Sequence, residues 1–132
     1  MKVVNVKVAH IRPQYTNLKE WIEDPQNVYI GRGKIVFIEG VRYPPQDSIW
    51  ANPYKITGEK RREDVIREYQ AHLEEKFAQG KITLTDLENL QGKRLGCWCK
   101  PEPCHGDVLR AFVEEKLSEK SVTILDDKPH KV

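Results

Sequence analysis

Long apolar runs are missing from this sequence, and so is any strong bias of charge. No stretch approaches the ~20 consecutive apolar residues that a membrane-crossing helix needs, so no membrane partner is expected. The opening residues MKVVNVKV alternate in polarity and lack the apolar core of a secretory signal, which points to a cytoplasmic setting. Lysine and arginine total 22 against 20 acidic residues, a formal net charge of +2. That balance excludes a global basic field of the kind that gathers nucleic acid. Cysteine is scarce: the chain has three, Cys97, Cys99 and Cys104, crowded together. An odd number at such close spacing is a poor disulfide framework. In a reducing compartment these residues are free thiols or metal ligands. Internal repeats and linkers are absent too, which excludes a solenoid or a multidomain array.

What is present is the composition of a globule, 39% hydrophobic and 32% charged over 132 residues. That length buries one core without disulfides or an obligatory metal. The expected organisation is a single compact α/β domain over residues 1–125, a small mixed sheet flanked by helices, followed by a polar tail at 126–132. Residues 3–8 read as a first strand on their valines. Thr16 caps a short helix to Ile22 that Asp24-Pro25 ends. Residues 27–30 read as a short apolar strand, and residues 34–41 as a strand pair or a strand with a turn at Gly40. The clearest helix spans 63–79, with Val65, Ile66, Tyr69, Leu73 and Phe77 at helical spacing and Gly80 suited to its end. Thr85 and Glu88 form a capping-box pattern for a shorter helix to Leu90. A strand over 94–99, a turn at Pro101 and Pro103, a last helix over 104–117 and an edge strand at 121–125 complete the reading.

The informative stretch is Gly96-Cys97-Trp98-Cys99-Lys100-Pro101-Glu102-Pro103-Cys104-His105-Gly106-Asp107. Cys97 and Cys99 lie two apart on a strand, so their side chains leave one face while Trp98 leaves the other. The prolines then fold the chain so that Cys104 arrives at the start of the last helix, where the dipole and free N–H groups favour a thiolate. Three sulfurs and the His105 imidazole thus converge at the carboxyl end of a strand, the edge where open α/β sheets bind ligands. Two chemistries suit the cluster. In the first, Cys97, Cys99, Cys104 and His105 hold a metal, zinc in a tetrahedral site or an iron–sulfur cluster on the cysteines. In the second, Cys104 is a nucleophile and His105 and Asp107 handle protons. A third reading leaves the cysteines as inert small hydrophobes. Cys104 and Arg110 also match the Cys-x5-Arg spacing of phosphate-cradling loops, but Val108 and Leu109 are core helix positions, and Arg110 suits a helix ion pair.

Two further segments complete a candidate pocket. In Gly31-Arg32-Gly33 the glycines free backbone N–H groups to converge on an anion, and Arg32 can pair with phosphate or carboxylate. In Trp50-Ala51-Asn52-Pro53-Tyr54 an aromatic ring can stack on a base while Asn52 reads its edge. His72 reads as a solvent-exposed mid-helix residue. The Lys60-Arg61-Arg62 run reads as a solvated helix start.

Residues 96–109, GCWCKPEPCHGDVL, resemble the signature of a family of small uncharacterised domains of bacteria and their phages. The likeness extends to Val28-Tyr29-Ile30-Gly31-Arg32-Gly33, to Trp50-Ala51-Asn52-Pro53-Tyr54-Lys55-Ile56 and to the helix at 62–69, so that it covers most of residues 28–117. Residues 34–47 look like an insertion relative to that family. Pro-x-x-Cys-His is also similar to an element of another uncharacterised family. The resemblance implies no activity. The residues themselves favour a small enzyme acting on a nucleotide, nucleoside or modified base, with Cys104, His105 and Asp107 catalytic and Gly31, Arg32, Gly33, Trp50 and Asn52 binding an anionic ligand. The competing reading is a nucleic-acid-binding module stapled by zinc, with Arg32, Trp50 and the basic run on the nucleic acid.

Overall fold

A three-stranded parallel sheet, one face on each of two cores, sets the position of everything else. The computed structural model describes residues 1–130, and side-chain surroundings through residue 119. The elements in chain order are β1 (Lys2–Asn5), α1 (Val8–Ile11), α2 (Leu18–Glu23), β2 (Asn27–Tyr29), β3 (Val36–Ile38), β4 (Val41–Tyr43), α3 (Arg62–Ala78), α4 (Leu84–Glu88), β5 (Arg94–Cys97) and α5 (His105–His130). The last strand in sequence, β5, is the middle strand in space, parallel to β1 on one side and β2 on the other. Its Leu95, Gly96 and Cys97 are all buried, as expected of a strand covered on both faces. The antiparallel hairpin β3–β4 stands apart from this sheet. Its loop residues Glu39 and Gly40 both have positive φ, 53° and 79°. That is the mirror-image turn that suits a two-residue hairpin loop.

Alternation along the strands divides the interior. Leu95 and Cys97 enter the larger core, where Ile30, Trp50, Tyr69, Leu73, Leu109 and Phe112 join α3 and α5 to the sheet. Trp98 and Tyr29 face the smaller core, built on Val6, Ile11, Leu18 and Trp21. Gly96 faces this second core, and a Cβ there would overlap the Trp21 indole and Val6. Tyr69, Leu73, Leu95 and Leu109 are at most 1% exposed; burial of each such apolar side chain contributes about 1.5–3 kcal/mol.

The two ends of the sheet differ. At the amino end, Arg94 Nε donates to Asn27 Oδ1, and its Nη2 reaches Tyr15 Oη and Asp24 Oδ2 at 3.3 Å each. Asn27 Nδ2 in turn donates to the Trp21 carbonyl at 2.9 Å. The hydrogen bond from Tyr15, then that from the Gln26 N–H, hold the Asp24 carboxyl below the usual carboxylate range. This end is a polar pin that closes the structure. The carboxyl end opens onto a cavity.

Several boundaries fall elsewhere than the sequence suggests. The first strand stops at Asn5 because its side chain turns the chain out: Oδ1 accepts from Lys7 N at 2.8 Å, and Nδ2 donates to the Lys100 carbonyl. Residues 8–11 then form a helical turn. The helix expected from Thr16 is capped by Asn17, whose Oδ1 accepts from Glu20 N at 3.0 Å. The capping box of α4 is Thr83 with Asp86, at 3.2 and 2.9 Å, two residues before the expected one. The edge strand expected at 121–125 is helical instead, since α5 continues to His130. Residues 126–130 of the expected tail lie in that helix, and 131–132 fall outside the described residues. Among the described residues no helix is long and apolar enough to cross a membrane.

Candidate functional site

The cysteine turn is built by the end of β5 and the start of α5. After Cys99 the chain reverses, Glu102 N donating to the Cys99 carbonyl at 2.8 Å. Cys104 is the residue before α5, and its sulfur accepts the Gly106 N–H at 3.1 Å. Asp107 closes the reciprocal half of this cap: its Oδ2 accepts the Cys104 N–H at 3.1 Å. Its other oxygen holds the Lys100 ammonium. Both Asp107 oxygens are thus committed to the turn, and the side chain positions Cys104.

Cys97 and Cys104 are 1% and 2% exposed, their sulfurs 3.1 Å apart. Cys99 is partly exposed. The thiols form a donor chain that ends on Cys99. Hydrogen bonds from the Cys104 and Cys97 thiols, and then the neighbouring Arg62 guanidinium, hold the Cys99 thiol far below its usual range. Donation to Cys97 and to Cys99, together with burial, pushes Cys104 the opposite way. For Cys97, the bond from Cys104 pulls its thiol down, but donation to Cys99 and burial outweigh it and the net direction is upward. The helix dipole therefore does not make Cys104 the thiolate. Its sulfur is spent on the cap and on its two neighbours, and the accessible, ionised sulfur belongs to Cys99.

His105 follows immediately. Its Nε2 lies 2.7 Å from the Ile30 carbonyl oxygen. A carbonyl only accepts, so Nε2 carries the proton and the lone pair of the neutral ring sits on Nδ1. Burial lowers its pKa, outweighing the favourable bond to Ile30. The Tyr69 ring meets its edge with centroids 4.9 Å apart, and Tyr69 Oη donates to the Trp50 carbonyl at 2.7 Å.

The metal arrangement does not fit this geometry. Zn–S bonds of about 2.3 Å place the sulfurs of a tetrahedron about 3.8 Å apart, well beyond the 3.1 Å between Cys97 and Cys104. Among the described residues no group of three or more His, Cys, Asp or Glu side chains is disposed to hold a metal ion.

Above the sulfurs lies a cavity of about 610 Å³ bordered by Cys97, Cys99, Cys104 and His105, by Gly31 and Arg32 after β2, by Asn52 and residues 54–56, and by the first turns of α3. The volume falls in the usual range for small-molecule sites. The walls are mainly apolar, with Ile35, Ile56, Ile66 and Trp98 among them; beside the Cys99 sulfur the charged side chains on the lining are Arg32, Lys55 and Arg62, with no carboxylate among them. Arg62 Nη1 donates to the Pro103 carbonyl at 3.1 Å, which brings its guanidinium over the cysteine turn. Arg32 is partly committed. Its Nε and Nη2 donate to the Asn52 and Tyr54 carbonyls at 2.8–3.2 Å, while Nη1 has no protein acceptor among the described residues.

Other expected ligand contacts prove to be scaffold. Trp50 is 5% exposed in the larger core and does not line the cavity. Asn52 spends its amide on the protein, Nδ2 to the Val65 carbonyl at 3.1 Å and Oδ1 from Tyr54 N at 2.9 Å. Gly33 gives its N–H to Asp47 and packs against the backbone of Gln46, while a Cβ at Gly31 would strike the Tyr29 ring. These glycines serve close packing, and the Gly33 N–H is spent on Asp47. Tyr54 takes the aromatic place expected of Trp50. His72 is half-buried between Tyr54 and Tyr69 and is not solvent-exposed. Lys60 pairs with Glu68 at 2.9 Å, and Arg110 with Glu114 at 3.2 Å, as its helix position suggests. Sequence reading missed Arg62 and Trp98 as cavity residues. Forty-one positions separate Arg62 from Pro103, and no local pattern reports such a contact.

Against known families, residues 14–115 match the model described as a domain of unknown function (DUF4326). The chain belongs to that family, and the match spans β2, the hairpin, α3, β5 and the cysteine turn. A relative is the "Uncharacterized 12.4 kDa protein in nrdA-td intergenic region" of Enterobacteria phage T4, 40% identical over 58 residues, 44% of this chain. The aligned part spans about half of that relative, 54% of its length. No solved structure matches.

Proposed function

We propose that this protein is a small enzyme acting on a nucleotide, nucleoside or modified base, with Cys99 as its nucleophile. The observation that carries the reading is one partly exposed sulfur on the floor of a cavity that three cations and no carboxylate border. Arg62, Lys55 and the free Nη1 of Arg32 suit a phosphate or other anion. Tyr54, Trp98 and the isoleucines suit a flat ring. Addition of the Cys99 thiolate to an electrophilic ring carbon forms an S–C bond, moves the π pair onto the ring, and is completed by a proton from solvent. Nδ1 of the neutral His105 supplies the base for a later proton removal. Hydrogen bonds from the other two thiols keep Cys99 ionised while it waits.

Alkylation competition tests this. Iodoacetamide should modify Cys99 first, and a nucleoside monophosphate should slow that modification more than the parent nucleoside does. Arg62→Ala should weaken protection roughly tenfold, the loss of one charge-assisted hydrogen bond. Failure of every nucleotide, nucleoside and base tried to protect Cys99 would overturn the reading.

A further inference from the structure

Three sulfurs in mutual contact are more than a single nucleophile needs. Cys104 touches both of the others: its sulfur is 3.1 Å from Cys97 Sγ and hydrogen-bonds to Cys99. Cys97 and Cys99 hydrogen-bond to each other as well, across the bend at Trp98. Cys104, at the start of α5, meets both, and its bridge to Cys97 is the one that joins the two buried sulfurs and leaves Cys99 free. Only Cys99 has substantial exposure; the other two are shut in beneath it.

We propose that Cys97, Cys99 and Cys104 form a three-thiol redox relay: Cys99 reduces a hydroperoxide that enters the cavity, Cys104 resolves the product, and the oxidising equivalent comes to rest as a buried Cys97–Cys104 disulfide. In the first step the Cys99 thiolate attacks the terminal peroxide oxygen. An S–O bond forms, the O–O bond breaks, and the alkoxide leaves and takes a proton from water. Cys99 is now a sulfenic acid. In the second step the Cys104 sulfur attacks Cys99 Sγ. The S–S bond forms, the S–O bond breaks, and hydroxide departs with the Cys104 proton as water. In the third step Cys97 attacks Cys104 Sγ and expels Cys99, its proton passing to solvent. Exchange favours the best leaving thiolate, and Cys99 is the thiol that its neighbours and Arg62 stabilise as an anion. The sum is one hydroperoxide reduced to an alcohol and water, and two thiols oxidised to one disulfide. An external dithiol returns the pair to the reduced state. The exposed sulfur is thereby restored for its work in the cavity while the oxidation is parked in the core. The relay needs only the sulfurs and access from the cavity, so it stands or falls apart from the nucleotide reading.

The test uses the full chain, reduced and freed of reductant under anaerobic conditions, then given one equivalent of cumene hydroperoxide. Intact mass should fall by two hydrogen atoms, peptide mapping should find Cys97 joined to Cys104, and Cys99 should still react with iodoacetamide. Cys99→Ser should form that disulfide roughly tenfold or more slowly, because the accessible thiolate is gone. Cys104→Ser should stop at a Cys99 sulfenic acid, captured by dimedone. Should Cys104→Ser fail to fold, Cys97→Ser gives the second reading, an endpoint in which Cys99 is joined to Cys104 and no longer alkylates. The relay is overturned if the wild-type mass does not fall, if Cys99→Ser oxidises as fast as wild type, or if the disulfide joins two molecules.

Discussion

Asp107 shows how much one side chain settles here. One oxygen takes the Cys104 N–H and the other takes Lys100, so the carboxylate ties both ends of the proline turn to the start of α5. Removal of a capping carboxylate costs about 1 kcal/mol, and Asp107→Ala should lower the urea midpoint accordingly. The positioning role makes a sharper forecast. Lys100→Ala, which leaves the cap intact, should preserve the rate of Cys99 alkylation, whereas Asp107→Ala should change it. Equal rates in the two variants would show that the cap does not set the sulfur geometry. Arg32 and Asn52 teach a related lesson. Both are residue types that read as ligand contacts, and in the fold each holds residues 52–54 in place. The sequence shows what a side chain can bond to; which partner arrives is decided by distant chain.

At the level of elements, β5 connects both cores to the site. Its alternation was legible directly: Leu95 and Cys97 enter one core and Gly96 faces the other, as a period of two requires, although the strand expected to reach Cys99 ends at Cys97, with a bend at Trp98. The long helix was equally legible, expected at 63–79 and found at Arg62–Ala78, because five apolar residues hold its spacing. The hairpin was signalled by Gly40. Less legible were the short elements, where neighbouring polar residues compete as caps: Thr83 and Thr85 each precede an acidic residue by three, and packing of Leu87 chooses the first. Gly96 gives this scale its test. The second core closes on it, so Gly96→Ala overpacks Trp21 and Val6 and should destabilise the fold by about 1–3 kcal/mol, read from chemical denaturation. A variant as stable as wild type would mean that the Trp21 ring yields freely.

Over the molecule as a whole, the site was readable as a location, the carboxyl edge of the sheet, but not as an assignment of roles. The dipole argument favoured Cys104 because it weighed only the helix that Cys104 begins. Burial and two sulfur neighbours oppose that effect and prevail, and none of them is local. Whole-molecule stability carries a related signature. Burial is the leading cause that lowers both His72 and His105. The unfolded chain therefore binds more protons than the native one once pH drops through the ordinary histidine value of about 6.5. Stability should be flat above that value and decline below it. Denaturation at about pH 7.5 and about pH 5.5 should show the lower midpoint in acid, and His72→Gln should narrow the gap. An unchanged midpoint would mean that neither ring is protected from protons.

Trp98 has a consequence for light as well as for packing. Trp21 and Trp50 are 2% and 5% exposed, deep in separate cores. Trp98 borders the cavity and gives its indole N–H to Tyr29 Oη at 2.8 Å. It is thus the one indole of three that borders the cavity, and in the chain it stands between Cys97 and Cys99. The protein carries its own emitter at the border of the cavity, with two shielded tryptophans as an internal reference.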